Sequence, residues 1–220
     1  MSVSRAVLFD LDGTLADTAP DLAAAVNRIR VEQAMEPLPI ERLRPFASAG
    51  ARGLVFAGLG IKPGDAEYDG LRETFLEYYA ERTCQETRLF PGVEGLLAEL
   101  ARRGIAWGIV TNKALRFTER IVAELRLAPA CVVGGDSTPH LKPHPASLLL
   151  AAQQLGLSPA QCCYLGDDLR DMQAARAAGM RPIAVEWGYH HPDNAAPGTW
   201  QADAVISRPA DLISLLEKTP

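Results

Sequence analysis

Short apolar runs that end in polar or glycine residues recur along the chain. The first covers residues 6–9 and is followed by Asp10 and Gly13. Every position in this run is apolar, a pattern typical of a strand buried on both faces of a parallel sheet. Runs of the same kind predict five further strands, at residues 106–110, 130–133, 161–165, 182–185 and 204–206.

Segments of helical length separate these runs, with apolar residues three and four positions apart. They predict helices at residues 93–103, 115–127, 145–155, 168–178 and 210–217. Gly104, Gly156 and Gly179 each follow one of these segments, as expected at the C-terminal end of a helix. The alternation predicts an α/β fold with a doubly wound, mostly parallel sheet, a Rossmann-like core with right-handed crossovers.

Residues 18–88 interrupt this alternation. Three helical patterns occur there, at residues 21–33, 40–57 and 65–81, and no segment has the pattern of a strand. We therefore expect a small helical cap at residues 18–88, inserted into a Rossmann-like core made of residues 1–17 plus 89–220.

The composition narrows the class of protein. Of the 220 residues, 48% are hydrophobic and 22% are charged, which excludes disordered and low-complexity classes. The formal net charge is −5 and no cluster of Lys and Arg occurs, which disfavours nucleic acid as a partner. No apolar stretch approaches the length of about 18 residues that a membrane span requires.

The cysteines and the start of the chain indicate a compartment. Cys84, Cys131, Cys162 and Cys163 have neither zinc-ligand spacing nor a redox motif. The segment before the first strand is too short and too quickly followed by Asp10 to be a signal peptide. We expect a cytoplasmic protein with reduced thiols.

Candidate catalytic residues follow the predicted strands. In an open parallel sheet, reactive groups gather outside the carboxyl ends of the strands, where the strand order reverses. Several carboxylates in one crevice repel each other unless a cation is present, and a set of oxygen ligands without His or Cys favours Mg²⁺. The residues expected at this edge are Asp10, Asp12, Thr111, Lys142, Asp167, Asp168 and Asp171.

Asp10 and Asp12 can divide the chemistry between them. They are two positions apart at a strand end, and Gly13 permits the sharp turn that exposes them. One carboxylate can act as a nucleophile while the other carries a proton. The ammonium of Lys142 can neutralise an anionic substrate and its transition state.

At these residues the chain resembles the haloacid dehalogenase superfamily. The motifs are Asp10-Leu-Asp-Gly-Thr after an apolar strand, Thr111 at the end of a second strand, Lys142-Pro143 in a loop, and Gly166-Asp-Asp-Leu-Arg-Asp171 after a later strand. Their order along the chain also agrees with that of the family. The insertion at residues 18–88 resembles the helical cap of the phosphoglycolate phosphatase-like branch.

The resemblance implies a role for each matching residue. Asp10 would attack phosphorus and form an aspartyl-phosphate. Asp12 would protonate the leaving alcohol and later deprotonate the attacking water. Thr111, with the adjacent Asn112, would bind the transferring phosphoryl group, and Lys142 would pair with that group and with Asp10.

The resemblance also implies how Mg²⁺ would be held. Its ligands would be Asp10, the backbone carbonyl of Asp12, and Asp167, while Asp171 would act through a water or orient Lys142. For Asp168 a helix-capping role competes with metal binding, because acidic residues are favoured at helix N-termini.

The substrate is implied less directly. The tail at residues 187–194, with Thr111-Asn-Lys113 and Gly50-Ala-Arg52, most resembles those members of the branch that act on N-acetylmuramic acid 6-phosphate. Arg52 could bind a substrate carboxylate, which both this sugar phosphate and phosphoglycolate possess, or it could be a surface residue of the cap. The predicted partner is a small phosphorylated metabolite.

Two other functions share these motifs. A phosphosugar mutase would return the phosphoryl group to a second hydroxyl, and a non-catalytic module would bind a phosphorylated ligand without turnover. We expect a Mg²⁺-dependent phosphatase, as a monomer or a homodimer.

Overall fold

The computed structural model describes residues 5–191 and 196–217. In chain order the strands of this part are β1 (Ala6–Phe9), β2 (Ala16–Asp17), β3 (Arg88–Leu89), β4 (Ala106–Val110), β5 (Cys131–Val133), β6 (Cys162–Gly166), β7 (Arg181–Val185) and β8 (Ala204–Ile206). The α-helices are α1 (Ala19–Glu32), α2 (Ile40–Leu43), α3 (Gly50–Leu59), α4 (Tyr68–Arg82), α5 (Val93–Arg102), α6 (Leu115–Glu124), α7 (Ala146–Gln154), α8 (Leu169–Ala178) and α9 (Asp211–Glu217), with short 3₁₀ helices at 44–49, 159–161 and 197–199.

Six of the strands form one parallel sheet in the order β5-β4-β1-β6-β7-β8. The first strand lies in the middle, and the chain extends the sheet from β1 first to one side and then to the other. Strand β1 therefore has β4 on one side and β6 on the other, which makes its carboxyl end the switch point of the sheet. The predicted doubly wound α/β core is confirmed.

Side chains of β1 are buried on both faces of the sheet. Val7 and Phe9 belong to a hydrophobic cluster that includes Leu96 and Leu100 of α5. Ala6 and Leu8 face a second cluster, to which α7 and α8 contribute. Burial of each large apolar side chain contributes about 1.5–3 kcal/mol, so this strand is firmly held at the centre of the fold.

Three helices end at the predicted glycines. Gly104, Gly156 and Gly179 have φ values of +67°, +65° and +74°. This left-handed conformation is common just after the last residue of a helix and costs glycine little. The glycine stops predicted from the sequence are confirmed.

Helices α1 to α4 pack around a hydrophobic cluster of their own. Its fully buried members include Val26 of α1, Leu54 of α3, and Phe75 and Tyr79 of α4. Phe117 of α6 belongs to the same cluster, so helices α1 to α4 pack directly against α6. The division at residues 18–88 stays a prediction.

The two chain segments that join the core and the cap lie side by side. Strands β2 and β3 pair antiparallel, with Asp17 opposite Arg88. Asp21, in the first turn of α1, accepts hydrogen bonds from the backbone N–H groups of Glu86 and Thr87. The start of the cap is thereby tied to the segment that returns the chain to the core.

Two predictions for this region were wrong. The single helix expected at residues 40–57 is interrupted, because Pro45 lies in a 3₁₀ helix and Gly50 has a φ of +59°. Strand β3 begins at Arg88, inside the stretch where no strand was expected, and both β2 and β3 are only two residues long. Such short strands leave no periodic pattern in a sequence.

No helix in the described ranges combines the length and the apolar character needed to cross a bilayer.

Candidate active site

The carboxyl ends of three neighbouring strands define the candidate site. Asp10 directly follows β1, Thr111 follows β4 and Asp167 follows β6. Because these strands are adjacent and parallel, the three buried side chains meet at one edge of the sheet.

Three carboxylates converge there. One oxygen each of Asp10, Asp167 and Asp171 lies within 4.8 Å of the others, and all three residues are buried. Burial raises the pKa of Asp167 well above that of an ordinary aspartate, and the charges of Asp10 and Asp171 raise it further. Such a cluster of oxygen ligands has the charge and the donor type that suit a hard divalent cation. The side chain of Asp12 is not a member of this cluster.

Asp167 is fixed by hydrogen bonds from different parts of the chain. Its Oδ1 accepts from the Thr14 hydroxyl at 3.1 Å, and its Oδ2 accepts from the backbone N–H of Tyr189 at 2.9 Å and from the Ser48 hydroxyl at 3.1 Å. Ser48 lies in the 3₁₀ helix between α2 and α3, so this helical region contacts the carboxylate cluster directly.

Gly13 makes room for this arrangement. Its φ is +85°, and a Cβ at this position would lie 2.1 Å from Oδ2 of Asp167. Any side chain here would therefore displace Asp167 as well as strain the turn.

Lys142 neutralises part of the negative charge. Its Nζ lies 2.9 Å from Oδ1 of Asp10 and 2.8 Å from Oδ1 of Asp171, and it donates to the Tyr164 hydroxyl at 2.7 Å. Burial alone would lower the pKa of Lys142, but the carboxylates of Asp10 and Asp171 outweigh it and raise the pKa. Lys142 is therefore a buried ammonium at neutral pH.

Asn112 fixes the loop that carries Lys142. Its Oδ1 accepts from the backbone N–H of Lys142 at 2.8 Å, and its Nδ2 donates to the Lys142 carbonyl at 3.1 Å. The predicted contact of Asn112 with substrate stays a prediction. Thr111 is buried beside it, and its hydroxyl accepts from the backbone N–H of Lys113 at 3.2 Å.

Asp12 lies beside the carboxylate cluster and has its own partners. Its Oδ1 accepts a short hydrogen bond from the Thr18 hydroxyl and lies 2.9 Å from Nζ of Lys113. Burial acts to lower the pKa of Lys113, but the charge of Asp12 reverses the effect and the pKa is raised. Asp12 is thus held by a cation and by a hydroxyl at the start of α1.

Asp168 caps a helix. Its side chain accepts from the backbone N–H of Arg170 at 2.9 Å at the start of α8, and both of its oxygens pair with the Arg170 guanidinium. The capping role considered from the sequence is confirmed. Arg170 also donates to the carbonyl of Ser48 at 3.0 Å, a second contact between core and cap.

Arg52 is exposed on α3 and makes no ion pair or side-chain hydrogen bond with the residues that the structure describes. Of the tail motif, Trp187 donates to the carbonyl of Thr14 at 3.0 Å and Tyr189 contacts Asp167. Residues 192–194 of that motif lie outside the described residues.

Several residues of the site had no role assigned from the sequence. Lys113 is adjacent to the Thr111-Asn112 motif, and that position was the available signal for it. Ser48 lies in the 3₁₀ helix between α2 and α3, and the ring of Tyr79 on α4 lies 4.8 Å from Nζ of Lys113; only the fold brings these two residues close to the core motifs. Tyr189 donates through its backbone N–H, which every residue except proline has, so the residue type gives no sign of this contact.

Comparisons with known proteins agree with this geometry. A model of the haloacid dehalogenase-like hydrolase family matches residues 7–185, from β1 to β7. The N-acetylmuramic acid 6-phosphate phosphatase of Pseudomonas aeruginosa is 40% identical over 216 residues, which cover 97% of this chain and 95% of that protein. The phosphoglycolate phosphatase of Xanthomonas campestris is 42% identical over 214 residues, which cover 96% of each.

A solved structure gives the same result for the fold. The crystal structure of a predicted phosphoglycolate phosphatase from Haemophilus somnus superposes with a TM-score of 0.83 at 26% identity, covering 98% of this chain and 99% of that one. The similarity therefore includes both the sheet and the inserted helices.

Proposed function

The chain belongs to the haloacid dehalogenase-like hydrolase family, and from that premise we propose that it is a Mg²⁺-dependent phosphatase with Asp10 as nucleophile. The observation that carries this proposal is the position of Asp10. Its carboxylate lies at the switch point of the sheet, in a buried trio with Asp167 and Asp171, and 2.9 Å from the ammonium of Lys142. This environment neutralises charge around an oxygen that is ready to attack phosphorus.

In the first step, an oxygen of Asp10 forms a bond to phosphorus while the bond from phosphorus to the ester oxygen breaks. Asp12 enters this step protonated, with the proton taken from water in the preceding turnover; the leaving alkoxide takes that proton, so an alcohol departs and an aspartyl-phosphate remains. Lys142 stays paired with the phosphoryl group as it moves to Asp10, and the Thr111 hydroxyl donates a hydrogen bond to a phosphoryl oxygen. Positioning and neutralisation of charge supply most of the catalysis in phosphoryl transfer.

In the second step, a water attacks the phosphorus of the aspartyl-phosphate. Asp12 now takes a proton from this water, the bond between phosphorus and the Asp10 oxygen breaks, and inorganic phosphate leaves. Asp12 thus acts first as an acid and then as a base. Thr18 and Lys113 hold Asp12 in place for both roles.

Asp10, Asp167 and the backbone carbonyl of Asp12 are the residues proposed to hold Mg²⁺. The three buried carboxylates offer oxygen ligands only, and the raised pKa of Asp167 indicates that their charges are not fully compensated by the protein. When bound, the ion supplies positive charge to the phosphoryl oxygens. Asp171 is proposed to orient Lys142, to which it is paired at 2.8 Å.

The substrate is proposed to be a small phosphorylated metabolite. N-acetylmuramic acid 6-phosphate and phosphoglycolate are the two candidates, because relatives of both names are similar to this chain over nearly its whole length. Residues 18–88 would act as a cap over the bound substrate, and Arg52 on that cap would bind a substrate carboxylate, which both candidates possess.

Hydrolysis is favoured over the other two functions. The similar relatives described above are named phosphatases, whereas a mutase would need a cap that excludes water from the aspartyl-phosphate. A non-catalytic module would have no need of a nucleophile, an acid/base and a buried lysine arranged together.

We also propose that the enzyme is cytoplasmic, because thiols such as the buried Cys162 and Cys163 stay reduced in that compartment.

Release of inorganic phosphate tests this proposal. The enzyme with Mg²⁺ would be assayed on N-acetylmuramic acid 6-phosphate, phosphoglycolate, glucose phosphates, nucleotides and an aryl phosphate, without a bisphosphate primer. We expect phosphate release on one substrate to exceed the others by a wide margin. Turnover that depends on a bisphosphate primer would instead identify a mutase.

A further inference from the structure

The hydroxyl of Tyr79 is buried, and its polar neighbour among the described residues is the ammonium of Lys113. Tyr79 lies on the cap helix α4 and is 1% exposed, and its hydroxyl makes no hydrogen bond of acceptable geometry with the described residues. An unpaired buried hydroxyl costs about 1–3 kcal/mol, so its presence requires an explanation.

The ring of Tyr79 is held in one orientation. It stacks on Phe75 with ring centroids 6.4 Å apart, and it meets Phe117 of the core edge-on at 5.1 Å. Neighbours on both sides therefore fix where the hydroxyl lies, and a fixed donor is suited to recognising a ligand.

Lys113 contacts both Tyr79 and the acid/base residue Asp12. Nζ of Lys113 lies 4.8 Å from the Tyr79 ring centroid and 2.9 Å from Oδ1 of Asp12. Burial raises the pKa of Tyr79 to about 12, and the charges of Lys113 and Asp12 also act on it, in opposite directions. The hydroxyl therefore keeps its proton at neutral pH and can donate it in a hydrogen bond.

Lys113 can serve more than one acceptor. An ammonium has three N–H groups: one faces the carboxylate of Asp12, a second can be shared with the Tyr79 hydroxyl, and a third remains. A hydroxyl from the cap and an ammonium from the core thus meet beside Asp12, and together they can serve one acceptor oxygen.

The position of this pair limits which oxygen it can bind. To protonate the ester oxygen, Asp12 must approach it to about 2.6–3.2 Å. Since Lys113 lies next to Asp12, an oxygen bound by Lys113 and Tyr79 can be only a few atoms away from the ester oxygen. An oxygen carried by the carbon next to the ester carbon meets this requirement.

We propose that Tyr79 and Lys113 form a subsite for an acceptor oxygen on the carbon adjacent to the ester carbon of the substrate. This inference rests on the proposed phosphatase function and specifies its leaving group. A carboxylate oxygen of phosphoglycolate and the ring oxygen of a hexosamine 6-phosphate both occupy that position. Ethyl phosphate has no oxygen there.

The test compares Tyr79→Phe with wild type on these three kinds of substrate. Values of kcat/KM are measured for phosphoglycolate, N-acetylglucosamine 6-phosphate and ethyl phosphate, and thermal unfolding is followed without ligand. Tyr78→Phe is the matched control, because Tyr78 is the next residue on α4 and its hydroxyl donates to Glu32 at the surface.

We expect Tyr79→Phe to lower kcat/KM about tenfold or more on the oxygen-bearing substrate that wild type prefers, and to change ethyl phosphate hydrolysis by less than about twofold. A loss on phosphoglycolate would identify the bound oxygen as that of a carboxylate, and a loss on N-acetylglucosamine 6-phosphate would identify it as a sugar ring oxygen. The melting temperature should stay the same or rise, because an unpaired hydroxyl is removed from the interior.

Equal losses on all three substrates, no loss on any, or a lowered melting temperature would each overturn the subsite. These results would leave the phosphatase proposal standing, provided that ethyl phosphate turnover by wild type is abolished by Asp10→Asn.

Discussion

The ammonium of Lys142 lies 2.9 Å from Oδ1 of Asp10, and both groups are buried at the carboxyl end of the central strand. An ammonium in this position reduces the repulsion between the attacking carboxylate and the anionic phosphate. In a buried site with a low effective dielectric constant, such an interaction is much stronger than in water.

Removal of this charge should therefore slow the chemical step. We expect Lys142→Ala to lower kcat by about 10²–10³. Lys142→Arg should not restore it, because a planar guanidinium cannot replace a compact ammonium held between Asp10, Asp171 and Tyr164. Steady-state kinetics would measure both variants, with Lys62→Ala on the cap surface as the control; a Lys142→Ala enzyme as fast as the control would exclude this role.

Metal binding should stabilise the protein more at high pH than at low pH. The pKa of Asp167 is raised in the folded state, so protonation of this carboxylate stabilises the fold at low pH. This stabilisation is lost as the pH rises through the folded-state pKa. A bound cation offsets this loss when the carboxylates are charged. We expect the increase in Tm on adding Mg²⁺ to be larger at pH 8 than at pH 5, as measured by calorimetry.

The same measurement has a direct control. In Asp167→Asn the Mg²⁺-dependent increase in Tm should be lost, and excess chelator should stop phosphate release by wild type. Activity that persists after removal of the metal would contradict the Mg²⁺ proposal.

Gly13 should not tolerate a side chain. Gly13→Ala brings a Cβ to 2.1 Å from the Asp167 carboxylate at a φ of +85°, so it should lower the free energy of unfolding by at least about 1–2 kcal/mol and impair Mg²⁺ binding. Gly95→Ala is the matched substitution, since Gly95 lies in α5 with open space around it. It should raise stability by about 0.5–1 kcal/mol without changing activity. Chemical denaturation with Mg²⁺ titration tests both; equal behaviour of the two variants would refute the steric argument.

Arg52 should affect substrates that carry a distant carboxylate. N-acetylmuramic acid 6-phosphate differs from N-acetylglucosamine 6-phosphate by a lactyl group, so this pair isolates the carboxylate. We expect Arg52→Ala to lower kcat/KM on N-acetylmuramic acid 6-phosphate by a factor that corresponds to about 1.5–3 kcal/mol of transition-state stabilisation. The value on N-acetylglucosamine 6-phosphate should stay nearly unchanged. Losses of the same size on both sugars would show that Arg52 supports the cap instead of reading the carboxylate.

The sheet could be predicted from the sequence because its strands are buried on both faces. Runs such as residues 6–9 and 106–110 are apolar throughout and end at polar residues, and the strands of the structure coincide with them. The acidic trio could also be predicted from the sequence, because parallel strands bring their carboxyl ends to one edge of the sheet.

The cap could be predicted only in outline. Helical periodicity indicated its helices, but the break between α2 and α3 depends on Pro45 and on the left-handed Gly50, and it brings Ser48 to Asp167. In a sequence Tyr79 has the pattern of an ordinary core residue. Only the packing of α4 against α6 reveals that its ring lies beside the ammonium of Lys113.

The central claim is that Asp10 becomes phosphorylated, and trapping of the intermediate tests it most directly. Asp12→Asn would be mixed with an aryl phosphate, whose leaving group needs no proton, and quenched in acid before peptide mass spectrometry. Because this variant lacks the base for the second step, we expect the mass of one phosphoryl group on the peptide that contains Asp10, and none in the Asp10→Asn, Asp12→Asn double variant. Phosphate release by Asp10→Asn at the wild-type rate, or a phosphoryl group on another residue, would contradict the account.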